Sequence, residues 1–315
     1  MTTSPSLLVA GLTDERDPAL LARAAEVAEA MDLAVYVYYP VVVATLHAMG
    51  AEETQARLAR CRRELHNALE TFRKRGLRAE GCVERRQSAP VAIIDLVATL
   101  GPRLVMITPK AHAKLAAALS SDDDFELIRR CPAPLWLVRR FPEDRRTVLA
   151  AVHSSDDEDA AGATLNHAVL EIGAELAIRL GREAHVIHAT STPVRLTSVI
   201  EAVAPQTLDA RHRQAEDRRV RQTHELSRAH GIRTEHVHVP SGDFVDNLRE
   251  IAEPMAVDLV VVGAIAKTWL KRMLIGGTIE RLLEATDTDI LVVKSPYAAH
   301  SESGSEREPS LQSRR

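Results

Sequence analysis

The chain repeats one order of apolar runs and turns, and that duplication limits the folds open to it more than any other feature. Near each start a short β-rich run, Leu7-Leu8-Val9-Ala10 and later Val148-Leu149-Ala150-Ala151, gives way to polar turn residues. An alanine-rich helical stretch follows in both copies, from Ala19 to Met31 and from Leu165 to Leu180. A second apolar strand comes next, Ala34 to Tyr38 and Ala184 to His188. Farther along, Gly76 aligns with Gly231, Leu104 with Leu259 and Pro134 with Asp289, all at one constant offset.

The later strands, Leu104-Val105-Met106-Ile107 with Leu259-Val260-Val261-Val262, and Leu135-Trp136-Leu137-Val138 with Ile290-Leu291-Val292-Val293, are continuously apolar. Continuous rather than alternating hydrophobicity belongs to parallel strands covered by helices on both faces. Strands alternating with long helices imply right-handed crossovers. The prediction is therefore an α/β chain of two tandem doubly wound domains, residues 1–140 and 147–297, each a five-stranded parallel sheet with helices on both faces. Arg139 to Thr147, charged and proline-containing, reads as the linker. Residues 298–315 are polar and too poor in apolar groups to offset their ordering entropy, so they read as a disordered tail. The long mixed connection from Thr190 to Asp209 is placed to cover or gate whatever the second domain binds.

At 315 residues and 45% hydrophobic content, each half can bury a core of its own. A net charge of −4 and only 3% aromatic residues give neither the field nor the stacking platforms expected of a nucleic-acid binder. No apolar run approaches the length of a spanning helix, and the N-terminus lacks a secretory pattern, so no membrane association and a cytoplasmic location are expected. Cys61, Cys82 and Cys131 lie far apart with no metal or disulfide spacing, which suits a reducing compartment.

The segment Val261-Val262-Gly263-Ala264-Ile265-Ala266, continued by Ile275-Gly276-Gly277-Thr278-Ile279-Glu280, resembles the universal stress protein signature. That signature has a glycine after the fourth strand, a second glycine, then a further glycine with a hydroxyl residue. Through its doubled layout the chain is similar to the E-type tandem members, and Phe125 to Pro134 also looks like that subgroup. The resemblance implies an adenine nucleotide alpha hydrolase-like fold. It also implies an intramolecular pseudo-dimer joined through the last strands, Leu135 to Val138 and Ile290 to Val293, with a homodimer as a further option.

Glycines let a backbone approach a ligand closely, and successive N–H groups at a helix start hold phosphate oxygens. By that analogy Gly263, Ala264, Ala266, Lys267, Gly276, Gly277 and Thr278 would line the phosphate side of a site in the second domain, with ATP as the candidate ligand. Val152, His153 and Ala189 would line the base side, at the carboxyl ends of the strands. The chain departs from the pattern at Ala266, which adds a Cβ, and at Leu12 and His153, which stand where nucleotide-binding members carry an aspartate. In the first copy Thr108, Ala111, Ser121, Asp122 and Asp123 replace the signature, and the run Asp122 to Asp124 would repel a phosphate. The first domain therefore reads as degenerate, without a nucleotide motif.

His236 and His238 fall two apart in a predicted strand and would share a face with His185 or His188 if the second and third strands are neighbours. Three imidazoles would suit zinc. The absence of a carboxylate or cysteine at matching spacing favours half-exposed histidines on an outer strand, and no resident metal is expected. Gly-x-Ser-x-Gly is missing, and no catalytic constellation declares itself. The resemblance thus implies a stress-response protein binding or sensing an unidentified small ligand, and the residues declare no catalytic site. An ATP-dependent switch or slow ATPase in the second domain and a structural adaptor with protein partners are the alternatives.

Overall fold

The computed structural model describes residues 6–11, 17–109, 122–139, 146–153, 160–189, 205–264 and 281–294. In the first half these form β1 (Ser6–Ala10), α1 (Pro18–Met31), β2 (Ala34–Val42), α2 (Val43–His47), α3 (Ala51–Lys74), β3 (Ala79–Arg86), α4 (Ala89–Leu100), β4 (Leu104–Ile107), α5 (Asp122–Arg130) and β5 (Leu135–Leu137). The second half contains β6 (Thr147–Val152), α6 (Ala160–Leu180), β7 (Glu183–His188), α7 (Pro205–Ala229), a 3-10 turn (Thr234–His236), β8 (Val237–His238), α8 (Phe244–Ala252), β9 (Val257–Ala264) and β10 (Asp289–Lys294).

Local chemistry explains the helix boundaries. Asp17 caps α1 by accepting from the Ala19 and Leu20 amides, Pro18 occupies the first turn, and Asp32 ends the helix in a left-handed conformation with φ 52°. Ser88 caps α4 in the same way, with Pro90 just inside and Gly101 closing the helix at φ 56°.

All ten strands belong to one sheet, in the order β3-β2-β1-β4-β5-β10-β9-β6-β7-β8. Each half follows the doubly wound order, and the second runs as the mirror sequence of the first. Every pairing is parallel except β5 with β10, where Leu135, Trp136 and Leu137 lie antiparallel to Val292, Leu291 and Ile290. The halves are therefore joined edge to edge, and each covers the other's exposed strand edge.

Alternate residues of each strand feed two apolar layers on opposite faces of the sheet. Leu7, Val9, Trp136, Val148, Ala150 and Leu291 pack on one face with α1, α3 and α6. Leu8, Ala10, Leu137, Leu149, Ile187 and Ile290 pack on the other with α4, α5 and α8. Because each layer contains residues from both halves, apolar burial is continuous across the joint.

The strand expected through His236 and His238 is different in detail. His236 ends the 3-10 turn and only Val237 and His238 are paired, Val237 with Val186 and His238 with Ile187. A two-residue edge strand offers few ladder bonds. The linker residues 140–145, most of the connection at 190–204 and the tail lie outside the described residues.

Candidate functional site

In the second half the strand order reverses at β6, with β7 on one side and β9 on the other. A crevice at the carboxyl ends of strands flanking such a reversal is the usual ligand position in open α/β sheets. Val152 pairs with His188, and Ala151 pairs with Val262. The register sets His153 beside Ala189 and brings Gly263 and Ala264 to the same end of the neighbouring strand.

His153 is the best-defined of these residues. Its Nδ1–H donates to the Ala189 carbonyl at 2.7 Å, which leaves Nε2 as a hydrogen-bond acceptor. Its backbone is bracketed by Asn166 of α6, whose Oδ1 accepts from the His153 amide at 3.1 Å and whose Nδ2 donates to the His153 carbonyl at 2.6 Å. Behind it lies His188, 1% exposed, with ring centroids 5.9 Å apart.

Two of the expected lining residues have other work. The Val152 side chain is buried in the apolar layer, so only its backbone faces the crevice. At Gly263 an added Cβ would lie 2.6 Å from Leu165 of α6. The glycine is required there because α6 crosses β9 closely, whatever binds beyond it. Ala266, Lys267, Gly276, Gly277 and Thr278 lie outside the described residues.

Sequence reasoning missed Asn166. The available signal was a single amide on the apolar face of a helix, among Leu165, Val169 and Leu170. A buried amide needs partners, and the free backbone groups at the end of β6 supply them.

The equivalent crevice of the first half is filled differently. The Tyr39 ring, nearly buried, lies against the end of β1 so closely that a Cβ on Gly11 would come within 2.6 Å of it. Thr108, which stands where the second half has Gly263, donates its hydroxyl to the Asp17 carboxylate. An aromatic ring and a carboxylate thus occupy the end of β1 and the position after β4 in the first half.

Cys131, just after Arg129 and Arg130 at the end of α5, is fully buried, and burial pushes its thiol above the usual range. Such a thiol is not a nucleophile. All three cysteines are free. Among the described residues, no helix is long and apolar enough to cross a membrane.

The histidines of the outer strands do converge. His185 Nδ1 is 3.1 Å from His238 Nε2, and the His185 and His236 rings stack at 3.9 Å between centroids. Glu183, two residues before His185 and so on the same face of β7, supplies the carboxylate that spacing around His236 and His238 did not reveal.

A doubly wound half whose strand order reverses at β6 is the arrangement the resemblance implied. Residues 145–294, the second half of the chain, match the Universal stress protein family. Among characterised relatives, it is 27% identical over 206 residues to Universal stress protein E of Escherichia coli (strain K12), spanning 64% of each chain. It is 26% identical over 199 residues to the Universal stress protein E homolog of Haemophilus influenzae, spanning 61% of this chain and 62% of that one. The chain thus spans just under two thirds of the length of these relatives. A protein of unknown function from Pseudomonas aeruginosa PAO1 shares the fold at a TM-score of 0.68 and 22% identity, covering 95% of this chain and 96% of that one. A universal stress protein from Archaeoglobus fulgidus does so at a TM-score of 0.65 and 15% identity, covering 92% and 96%.

Proposed function

We propose that the protein is a non-catalytic, cytoplasmic stress-response protein that holds a small ligand of the nucleotide class at the carboxyl ends of β6, β7 and β9. The observation that carries this reading is the fixed His153 ring. With Nδ1–H committed to the Ala189 carbonyl, Nε2 presents an acceptor at the position where the resemblance expects an aspartate. An imidazole acceptor can take a hydrogen bond from the amino group of a base much as a carboxylate would, without adding negative charge near the phosphates. Ala264, Ala266, Lys267, Gly276, Gly277 and Thr278 would then serve the phosphate side. Three free cysteines agree with a reducing cytoplasm. The first half takes no nucleotide on this reading: Tyr39 fills the base side, and the Asp17 carboxylate would face the phosphates.

The test is calorimetric titration of the full chain with ATP and magnesium, beside His153→Ala and Gly276→Asp variants. One site per chain, weakened by His153→Ala and abolished by Gly276→Asp, is expected, with no phosphate release above background. Turnover dependent on Gly276 would replace this reading with the slow ATPase. No saturation up to millimolar ATP would leave a sensor of another ligand or an adaptor.

A further inference from the structure

A second cluster of polar side chains lies at the opposite end of β7 from the crevice. Glu183 opens that strand and His185 follows on the same face, while His236 arrives from the 3-10 turn before the edge strand β8. One ligand atom from each of the three lies within 4.8 Å of the others. The residues are joined by geometry that selects their lone pairs. His236 Nδ1–H donates to the Ala184 carbonyl at 3.1 Å, so its Nε2 carries the lone pair. His185 Nδ1 lies 3.1 Å from His238 Nε2, and His185 Nε2 faces the Glu183 carboxylate at 3.6 Å. With the proton of His185 on Nδ1, bonded to His238, its Nε2 also offers a lone pair.

Two imidazoles, each held through the other ring nitrogen, beside a carboxylate make the arrangement that orients ligands around a metal ion. The Arg233 guanidinium, on an exposed side chain, donates to His236 Nε2 at 2.7 Å and so places positive charge where a cation would sit. Stacking against His185 gives no hydrogen bond to either ring, and it sets two basic nitrogens side by side, an arrangement that a shared cation would relieve.

We propose that Glu183, His185 and His236 bind one borderline divalent cation per chain, of the Zn²⁺ class, with His238 and the Ala184 carbonyl as orienting partners. Donor atoms around tetrahedral zinc lie about 3.3 Å apart, given metal–ligand bonds of ~2.0–2.1 Å, so the cluster needs to contract by up to about 1.5 Å. The near-parallel rings, 8° apart, must tilt to aim at one point. The terminal histidine torsion is broad and permits that. Exposed Glu183 leaves the remaining coordination position to water. Bound metal would tie the short strand β8 and the turn before it to β7, an edge otherwise held by two paired residues. The proposal does not depend on a nucleotide site, which lies at the other end of the strands.

The test uses metal-stripped full chain, titrated with Zn²⁺ against a chromophoric chelator and with Co²⁺ followed by visible absorption. One equivalent of zinc and a Co²⁺ spectrum with imidazole ligation are expected. His236→Asn and Glu183→Gln should each weaken binding by at least about tenfold, and His238→Ala by about 10–100-fold as an orienting partner. His167→Asn, in the separate His167–His230 pair, should leave binding unchanged. Circular dichroism checks folding, and the exposed Glu183→Gln change provides a variant that keeps the fold if a histidine variant does not. Absence of saturable binding, or undiminished binding in the His185→Asn/His236→Asn double variant, would overturn the proposal.

Discussion

The Arg23 guanidinium on α1 grips the Asp258 carboxylate on β9 through two hydrogen bonds, Nη1 to Oδ2 at 3.0 Å and Nη2 to Oδ1 at 2.5 Å, across 235 positions of sequence. Both side chains are 1% exposed. Arg23 Nε also lies 3.0 Å from Asp289 Oδ2, which accepts from the Trp136 indole N–H at 2.9 Å. Arg182 extends the network by donating to Asp258 at 3.2 Å and to Glu26 at 2.8 Å. One arginine from the first half thus pairs with two buried carboxylates of the second, with Arg182 sharing Asp258.

Removing one member leaves charge buried without compensation. Arg23→Met should destabilise the protein by about 3–5 kcal/mol. The wild type should unfold in one transition, because the halves share this network and both apolar layers. In Arg23→Met, urea unfolding followed by fluorescence and circular dichroism should separate into two steps. A single transition at unchanged midpoint would refute the role assigned to Arg23.

Gly263 tests packing against ligand contact. Gly263→Ala places a Cβ 2.6 Å from Leu165, and overpacking of this kind costs about 1–3 kcal/mol. The same change made in a Leu165→Ala background should cost less, giving a measurable coupling in thermal melts. Additive costs would mean that the glycine is not there for the crossing of α6.

Asn166→Ala removes both partners of the His153 backbone while leaving the His153 side chain in place. Unsatisfied groups at the end of β6 should cost about 1–3 kcal/mol. ATP affinity, where measured for the full chain, should fall together with stability. Asn166→Asp should restore the acceptor toward the His153 amide but not the donor toward its carbonyl, so it should recover only part of the loss.

Asp243 links pH to the second half. It caps α8 by accepting from the Val245 and Asp246 amides at 2.9 and 3.3 Å, and Arg281 donates to both of its oxygens at 2.7 and 3.1 Å. The Arg281 guanidinium, aided by the two amides and opposed by partial burial, holds this carboxyl below the usual aspartate range. A depressed carboxyl stabilises the fold above its unfolded value, about 3.9, and loses that contribution as pH falls through its folded value. Asp243→Ala should cost ~1 kcal/mol at neutral pH. The gap between variant and wild type should begin to narrow as pH falls below about 3.9 and continue to shrink as pH falls further.

Much of the sheet was legible because it depends on short-range rules. The continuous runs Leu104 to Ile107 and Leu259 to Val262 announce buried parallel strands, and the repeated order of runs announces two doubly wound halves. The candidate site was legible only in part. That His153, Ala189, Gly263 and Ala264 share one end of the sheet followed from the resemblance, but the Asn166 bracket and the Tyr39 ring over Gly11 did not. Each depends on a side chain reaching a backbone or ring more than ten positions away, and no local period encodes that reach. The spacing of His236 and His238 suggested a regular strand, whereas His236 ends a 3-10 turn and only Val237 and His238 pair with β7.

The sequence by itself determined the alternation of helix and strand and the duplication, because hydrophobic periodicity and turn residues act between near neighbours along the chain. Tertiary structure alone decided that β5 and β10 pair antiparallel edge to edge, that Arg23 meets Asp258, and that Glu183 joins the histidines at the outer edge. Those outcomes rest on desolvated charges and exposed strand edges finding partners in space, and the energy of such pairing depends on distance through the fold rather than along the chain.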